Sequence, residues 1–151
     1  MKVLHNKDTL CVHAGVTPEP VTGAIMTPIF QTSTYVQESP GEAKIYDYSR
    51  AGNPTRTCLE ASLAALEQAP FALTFSSGLA AVQAVVQLLN PSDHVLVCDD
   101  VYGGTGRLFR RLFSKYNIEF EFIDMGNVSE LKEKIKKNTK LDRKSTRLNS
   151  S

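Results

Sequence analysis

Residues 71–98 read FALTFSSGLAAVQAVVQLLNPSDHVLVC, and the order of signals in that stretch sets the fold class. Phe71 to Phe75 is a short apolar run, Ser76-Ser77-Gly78 is a turn, and residues 79–89 are rich in Ala, Val and Leu up to Asn90-Pro91. That order predicts a strand, a turn and a helix that stops where proline cannot continue it. His94 to Cys98 then reads as a second strand. The same grammar repeats downstream, with a loop over 99–104, a helix over 105–116 that puts Leu108, Phe109, Leu112 and Phe113 on one side, and a strand over 119–123. Asn127, three residues before Glu130, forms a capping box for a helix over 128–137. Alternating strands and helices predict an α/β layer architecture around a largely parallel sheet.

Upstream, Asn53 can cap a helix and Pro54 can take its first position, where a missing N–H costs nothing. The helix predicted over 54–68 has Leu59, Leu63 and Leu66 on one face, with small Ala61, Ala64 and Ala65 between them. Before it, Pro18, Pro20, Pro28 and Pro40 with Gly15, Gly23 and Gly41 interrupt every periodic pattern. Residues 1–53 are therefore expected to form an arm lying across another surface. Residues 54–141 are expected to form a partial α/β domain. Asn138 to Leu141 should lead into a further strand, yet 142–151, DRKSTRLNSS, offer no apolar run and resemble a translated adapter. That stretch is expected to be a non-native tail.

The 151 residues are 42% hydrophobic and 22% charged, which excludes disordered, collagen-like and coiled-coil classes. Cys11, Cys58 and Cys98 show neither C-x-x-C nor zinc spacing and cannot all pair, so a reducing, cytoplasmic setting is expected. No apolar run approaches the ~18 residues of a membrane span, and the first ten residues lack the apolar core of a secretion signal. His5, His13 and His94 are scattered, and adjacent Asp99 and Asp100 point apart in extended chain, so no metal site is expected. Eight of the seventeen Lys and Arg but only two of the sixteen Asp and Glu fall in residues 131–151. This basic tail lacks interleaved aromatics, and no nucleic-acid partner is expected.

In an open α/β sheet, ligands sit beyond the carboxyl ends of the strands, where loops enter helix N-termini. Ser77-Gly78 at such a place can receive an anion such as phosphate on free N–H groups; the plainer reading is a Ser cap followed by a packing glycine. In the next loop, Tyr102 stands between Val101 and Gly103-Gly104, so its ring either stacks on a planar ligand or packs into the loop. Gly104-Thr105-Gly106 starts like a dinucleotide fingerprint, but Phe109 stands where the third glycine belongs. Tyr48 and Arg50, two apart in an extended segment, point the same way and can together grip a phosphate.

In this order and at these spacings, Y-S-R-A-G-N-P-T-R (48–56), S-G-L-A-A (77–81) and D-D-V-Y-G-G-T (99–105) resemble the N-terminal portion of the Cys/Met-metabolism family of pyridoxal-phosphate enzymes. The resemblance runs from about Thr9 to Lys140. It implies a fold-type I, aspartate aminotransferase-like domain, pyridoxal 5'-phosphate as cofactor, and trans-sulfuration chemistry in a homotetramer: γ-elimination or γ-replacement on cystathionine or an O-activated homoserine. Within the family, the stretch around Tyr102 is most similar to the cystathionine γ-lyase and γ-synthase branches.

Carried across, the resemblance implies that Tyr48 and Arg50 reach the neighbouring subunit's cofactor phosphate. Ser77, Gly78 and Leu79 would bind the phosphate within their own subunit. Tyr102 would stack on the pyridine ring and act catalytically, accepting a proton from the substrate amine; a neutral phenol is a poor base, so that role calls for a nearby positive field. The family's cofactor lysine lies in an S-x-T-K stretch, and no Lys here has that setting. Nor is there an identifiable acid for the pyridine nitrogen or an Arg for the substrate carboxylate; these would lie beyond Leu141. The parent is thus expected to be an enzyme and this chain an inactive piece of it. The alternatives from the residues themselves are a nucleotide-binding α/β module using Ser77-Gly78 or Gly104-Thr105-Gly106, and a non-catalytic fragment or pseudoenzyme.

Overall fold

The computed structural model of the chain describes residues 6–143. His5 and residues 144–151 of the expected tail lie outside the described residues. The chain divides into two compact units, Met1–Thr74 and Phe75–Ser151.

In the first unit, helix α1 (Lys7–His13) packs on helix α2 (Pro54–Leu66). The chain leaves α1 at Gly15, whose φ is +74°; a Cβ there would lie 2.5 Å from the Cys58 carbonyl oxygen and 2.6 Å from the Ser62 nitrogen. Only glycine permits both that conformation and that approach to the α2 backbone. Residues 6–53 are irregular except that α1 forms in 7–13, ahead of the first proline, and strands β1 (Gln37–Ser39) and β2 (Glu42–Ala43) make an antiparallel hairpin about Gly41. Helix α2 begins as predicted. Pro54 takes the first turn, and the Asn53 side chain accepts the Thr55 N–H at 2.9 Å.

The predicted strand over 71–75 does not form. The backbone N–H of Thr74 goes to the Glu60 carboxylate on α2 at 2.9 Å, and its hydroxyl goes to the same oxygen at 3.0 Å. A side chain thus takes a donor that a neighbouring strand would otherwise use, and Phe71 is left 71% exposed.

In the second unit, helix α3 (Gly78–Val86) leads to strand β3 (His94–Cys98), helix α4 (Gly103–Arg111), a 3-10 turn (Phe113–Tyr116), strand β4 (Glu119–Ile123), helix α5 (Val128–Lys134) and strand β5 (Thr139–Arg143). The three strands pair in parallel in the order β4-β3-β5. Central β3 is buried almost throughout, as a continuous apolar run implies for a sheet covered on both faces. Val95 and Val97 face Val86, Phe109, Phe113 and Ile118, whereas Leu96 faces Ile123, Met125 and Leu131 of α5. The period of two therefore sends alternate β3 residues into two cores. Phe109 stacks on Phe120 with ring centroids 4.6 Å apart, locking α4 to β4.

The structure trims the predicted elements. Helix α4 starts two residues early, at Gly103, and yields to the 3-10 turn, which ends at Asn117 in the left-handed conformation. Helices α3 and α5 each stop three residues short of their predicted ends. Strand β5 takes in Asp142 and Arg143, because parallel pairing with Leu96 and Val97 holds them regardless of their polarity.

At the amino end of the sheet, His94 is fully buried, with Nδ1 2.8 Å from Thr139 Oγ1 and Nε2 3.2 Å from Glu121 Oε2. Glu121 also binds Lys134 at 2.7 Å and Lys136 at 3.2 Å. Hydrogen bonds from Lys134 and then Lys136 lower the Glu121 pKa to about 2. His94 thus ties three strands together at the end opposite Tyr102.

Candidate functional site

At the carboxyl end of β3 the chain turns back, with the Asp99 N–H on the Ile123 carbonyl at 2.9 Å and the Val101 N–H on Cys98 at 3.1 Å. Tyr102 follows as the residue before α4. Ser77, extended at φ −157° and ψ 157°, caps α3: its hydroxyl accepts the Ala80 N–H at 3.1 Å, and its carbonyl accepts from Ala81. The N–H groups of Gly78 and Leu79 belong to the first helical turn, which the helix itself cannot bond. A Cβ at Gly78 would meet nothing within 4 Å, so the space before these donors is open.

A cleft of about 320 Å3 joins these features, lined by Ser77, Gly78, Leu79, Val82, Tyr102, Thr105 and Arg143. Tyr102 is 66% exposed, so its ring is available to the cleft. The ring lies against Gly104, where an added Cβ would stand 2.5 Å from Tyr102 Cε1 and 3.2 Å from Leu79 Cδ1. Tyrosine, leucine and glycine thus converge beside the N-terminus of α3. Neither α3 nor α4 has an acidic residue in its first turn, so the positive ends of both helix dipoles are left uncompensated by side chains. The residues present fit a phosphate on the α3 N-terminus with an aromatic ring nearby for a planar group.

The first unit holds the other predicted pair. The Arg50 Cζ lies 4.9 Å from the centre of the Tyr48 ring, so guanidinium and phenol share one face of the segment. Tyr48 bridges to Thr34, and its carbonyl accepts the Ala51 and Gly52 N–H groups, both at 2.9 Å. The Asn53 side chain donates to Ser49 Oγ at 2.8 Å and to the Phe30 carbonyl at 3.0 Å. Arg56 reaches from α2 to the carbonyls of Ser49, Arg50 and Ala51. The motif Y-S-R-A-G-N-P-T-R therefore divides into an outward pair and a scaffold that fixes it. The sequence does not single out Asn53 and Arg56 for this bracing; their place inside the motif is the one signal of it.

Gly104 and Gly106 do not form a phosphate loop. They are buried in the opening turns of α4, with the Tyr102 ring against one and Arg110 Nη1 2.9 Å from the Cβ position of the other. Their lack of a side chain serves packing. Among the described residues, no group of three or more His, Cys, Asp or Glu side chains could hold a metal ion, and no helix is long and apolar enough to cross a membrane.

The profile of the Cys/Met metabolism PLP-dependent enzyme family matches residues 8–142. A probable cystathionine gamma-synthase of Herpetosiphon aurantiacus is 50% identical over 133 residues, covering 88% of this chain and 42% of its own. The cystathionine gamma-lyase of Bacillus subtilis is 46% identical over 134 residues, 89% of this chain and 35% of its own. Among solved structures, metB from Corynebacterium glutamicum superposes with a TM-score of 0.88 at 41% identity, covering 92% of this chain and 37% of that one. Cystathionine gamma-lyase from Lactobacillus plantarum complexed with L-serine gives 0.85 at 36% identity, over 91% and 36% of the two chains. The chain thus spans well under half the length of these relatives, and its fold is that of part of a fold-type I enzyme. With the family profile matching residues 8–142 and relatives up to 50% identical over most of its length, the chain belongs to the Cys/Met metabolism family of pyridoxal-phosphate-dependent enzymes.

Proposed function

We propose that the parent of this chain is a pyridoxal-phosphate-dependent trans-sulfuration enzyme acting by γ-elimination or γ-replacement on cystathionine or an O-activated homoserine. The observation that carries this reading is the convergence of Ser77, Gly78, Leu79 and Tyr102 on one cleft at the carboxyl end of the sheet. When bound, pyridoxal phosphate supplies an electron sink for the carbanion formed next to the substrate nitrogen. Gly78 and Leu79 bind the phosphate through their N–H groups, and the α3 dipole strengthens that hold. The Ser77 hydroxyl caps the helix and keeps both donors aimed outward. Tyr102 orients the ring by stacking, and its oxygen, acting as the phenolate, takes a proton from the substrate amine.

Tyr48 and Arg50, on the arm formed by residues 1–53, serve the phosphate of a neighbouring subunit in a homotetramer. Their shared outward face supports this role. No Lys of the sequence stands in an S-x-T-K setting, and the 151 residues alone are inferred to be inactive. The free thiols of Cys11, Cys58 and Cys98 fit a reducing, cytoplasmic setting.

The test is Tyr102→Ala in the full-length parent, followed by cofactor absorbance and turnover in both directions, cystathionine cleavage and cystathionine formation. Cofactor retention and turnover should both fall, and the faster reaction assigns the branch. Unchanged absorbance with unchanged turnover would overturn the reading.

A further inference from the structure

Three successive carbonyl oxygens of the segment that presents Tyr48 and Arg50 converge on one side chain. Arg56, in the first turns of α2, donates from Nη1 to Ser49 at 3.4 Å and to Arg50 at 3.3 Å, and from Nη2 to Ala51 at 2.7 Å. Its Nε lies 3.7 Å from Glu60 Oε1, the same oxygen that receives the Thr74 N–H and hydroxyl. The guanidinium is therefore held on its far side while its two terminal nitrogens hold the turn. Tyr48 closes that turn by accepting the Ala51 and Gly52 N–H groups, and Ser49 is tethered separately through its N–H to the Ser33 carbonyl at 2.8 Å.

We infer that Arg56 is a positioning residue for phosphate binding, fixing the direction in which Arg50 and Tyr48 are presented. The inference rests on the proposed role of that pair at the cofactor phosphate. Two physical reasons favour it over a general structural tie. A carbonyl oxygen turned towards an incoming phosphate would repel it, and Arg56 draws three of them away from the outward face. A planar fork of donors can span three carbonyls at once, whereas a lysine ammonium is a compact point charge that satisfies one or two. The ion pair with Glu60 alone would not need an arginine.

The experiment is Arg56→Lys in the full-length parent, with Arg50→Ala as control. Dissociation constants of pyridoxal phosphate and of pyridoxal, which lacks the phosphate, are measured on the apoprotein of each. Arg56→Lys retains the positive charge available to Glu60, so a loss confined to the phosphate reports on presentation of the turn and not on unfolding. The expected result is a loss of about tenfold in affinity for pyridoxal phosphate with pyridoxal essentially unchanged, the effect of weakening one charge-assisted contact. Equal affinity of Arg56→Lys and wild type for pyridoxal phosphate would overturn the inference, and so would proportional loss of both ligands. If Arg50→Ala itself keeps the full preference for the phosphorylated ligand, the assignment of the pair falls first and the role of Arg56 falls with it.

Discussion

A methyl group at position 104 would land 2.5 Å from Cε1 of Tyr102, closer than real Cβ atoms come to any neighbour. Because Tyr102 is largely exposed, its ring can swing away, and the clash is relieved at the expense of ring position more than of fold. Gly104→Ala in the parent should therefore keep the thermal midpoint, since alanine gains about 1 kcal/mol of helix propensity over glycine. It should also weaken cofactor binding by up to about tenfold through lost stacking. Fluorescence titration beside thermal melting checks both, and an unchanged dissociation constant would contradict the account. Residues of this kind differ in how legible they are. Ser77, Gly78 and Tyr102 stand out in the sequence because each lies where a loop runs into a helix N-terminus, a place chemistry marks in advance. Arg56 cannot, because an arginine four residues before Glu60 reads as an ordinary helical ion pair until the fold brings the carbonyls of 49–51 beside it.

Strands and helices follow the same division. Central β3 and the helices flanking it were readable because an apolar run between turn signals has few other ways to bury itself. The segment over 71–75 has the same composition, yet composition cannot say whether a ladder partner exists, and Glu60 takes the Thr74 donor instead. Helix ends differ from the expected ones by a few residues: α4 starts two residues early and passes into a 3-10 turn that Asn117 closes in the left-handed conformation, and α3 and α5 stop three residues short. The network joining β4, α5 and β5 gives a prediction at this scale. Lys134 and Lys136 bond the ionised Glu121 carboxylate and lower its pKa from 4.5 to about 2. Its stabilisation is thus fully present above pH 4.5 and is lost as pH falls towards 2. In the parent, Glu121→Gln should melt below wild type at pH 6, and the two midpoints should converge as the pH approaches 2. A constant gap across that range, read by circular dichroism, would show that the carboxylate charge is not the cause.

Taken as a whole, the 138 described residues hold two units, and the proposed cofactor contacts divide between them: the α3 N-terminus with Tyr102 in one, and Tyr48 with Arg50 in the other. That the sequence alone proposes both groups as candidates owes more to the combination and order of three short motifs than to any one of them. Periodicity reached the α/β class but not the family. The central claim is that the opening of α3 holds the cofactor phosphate and that Tyr102 covers the ring. A crystal structure of the full-length parent with pyridoxal phosphate tests it most directly. The account predicts phosphate oxygens within hydrogen-bonding distance of the Gly78 and Leu79 N–H groups, with the Tyr102 ring stacked on the pyridine; a phosphate bound elsewhere, or a Tyr102 ring turned away from the cofactor, would contradict it.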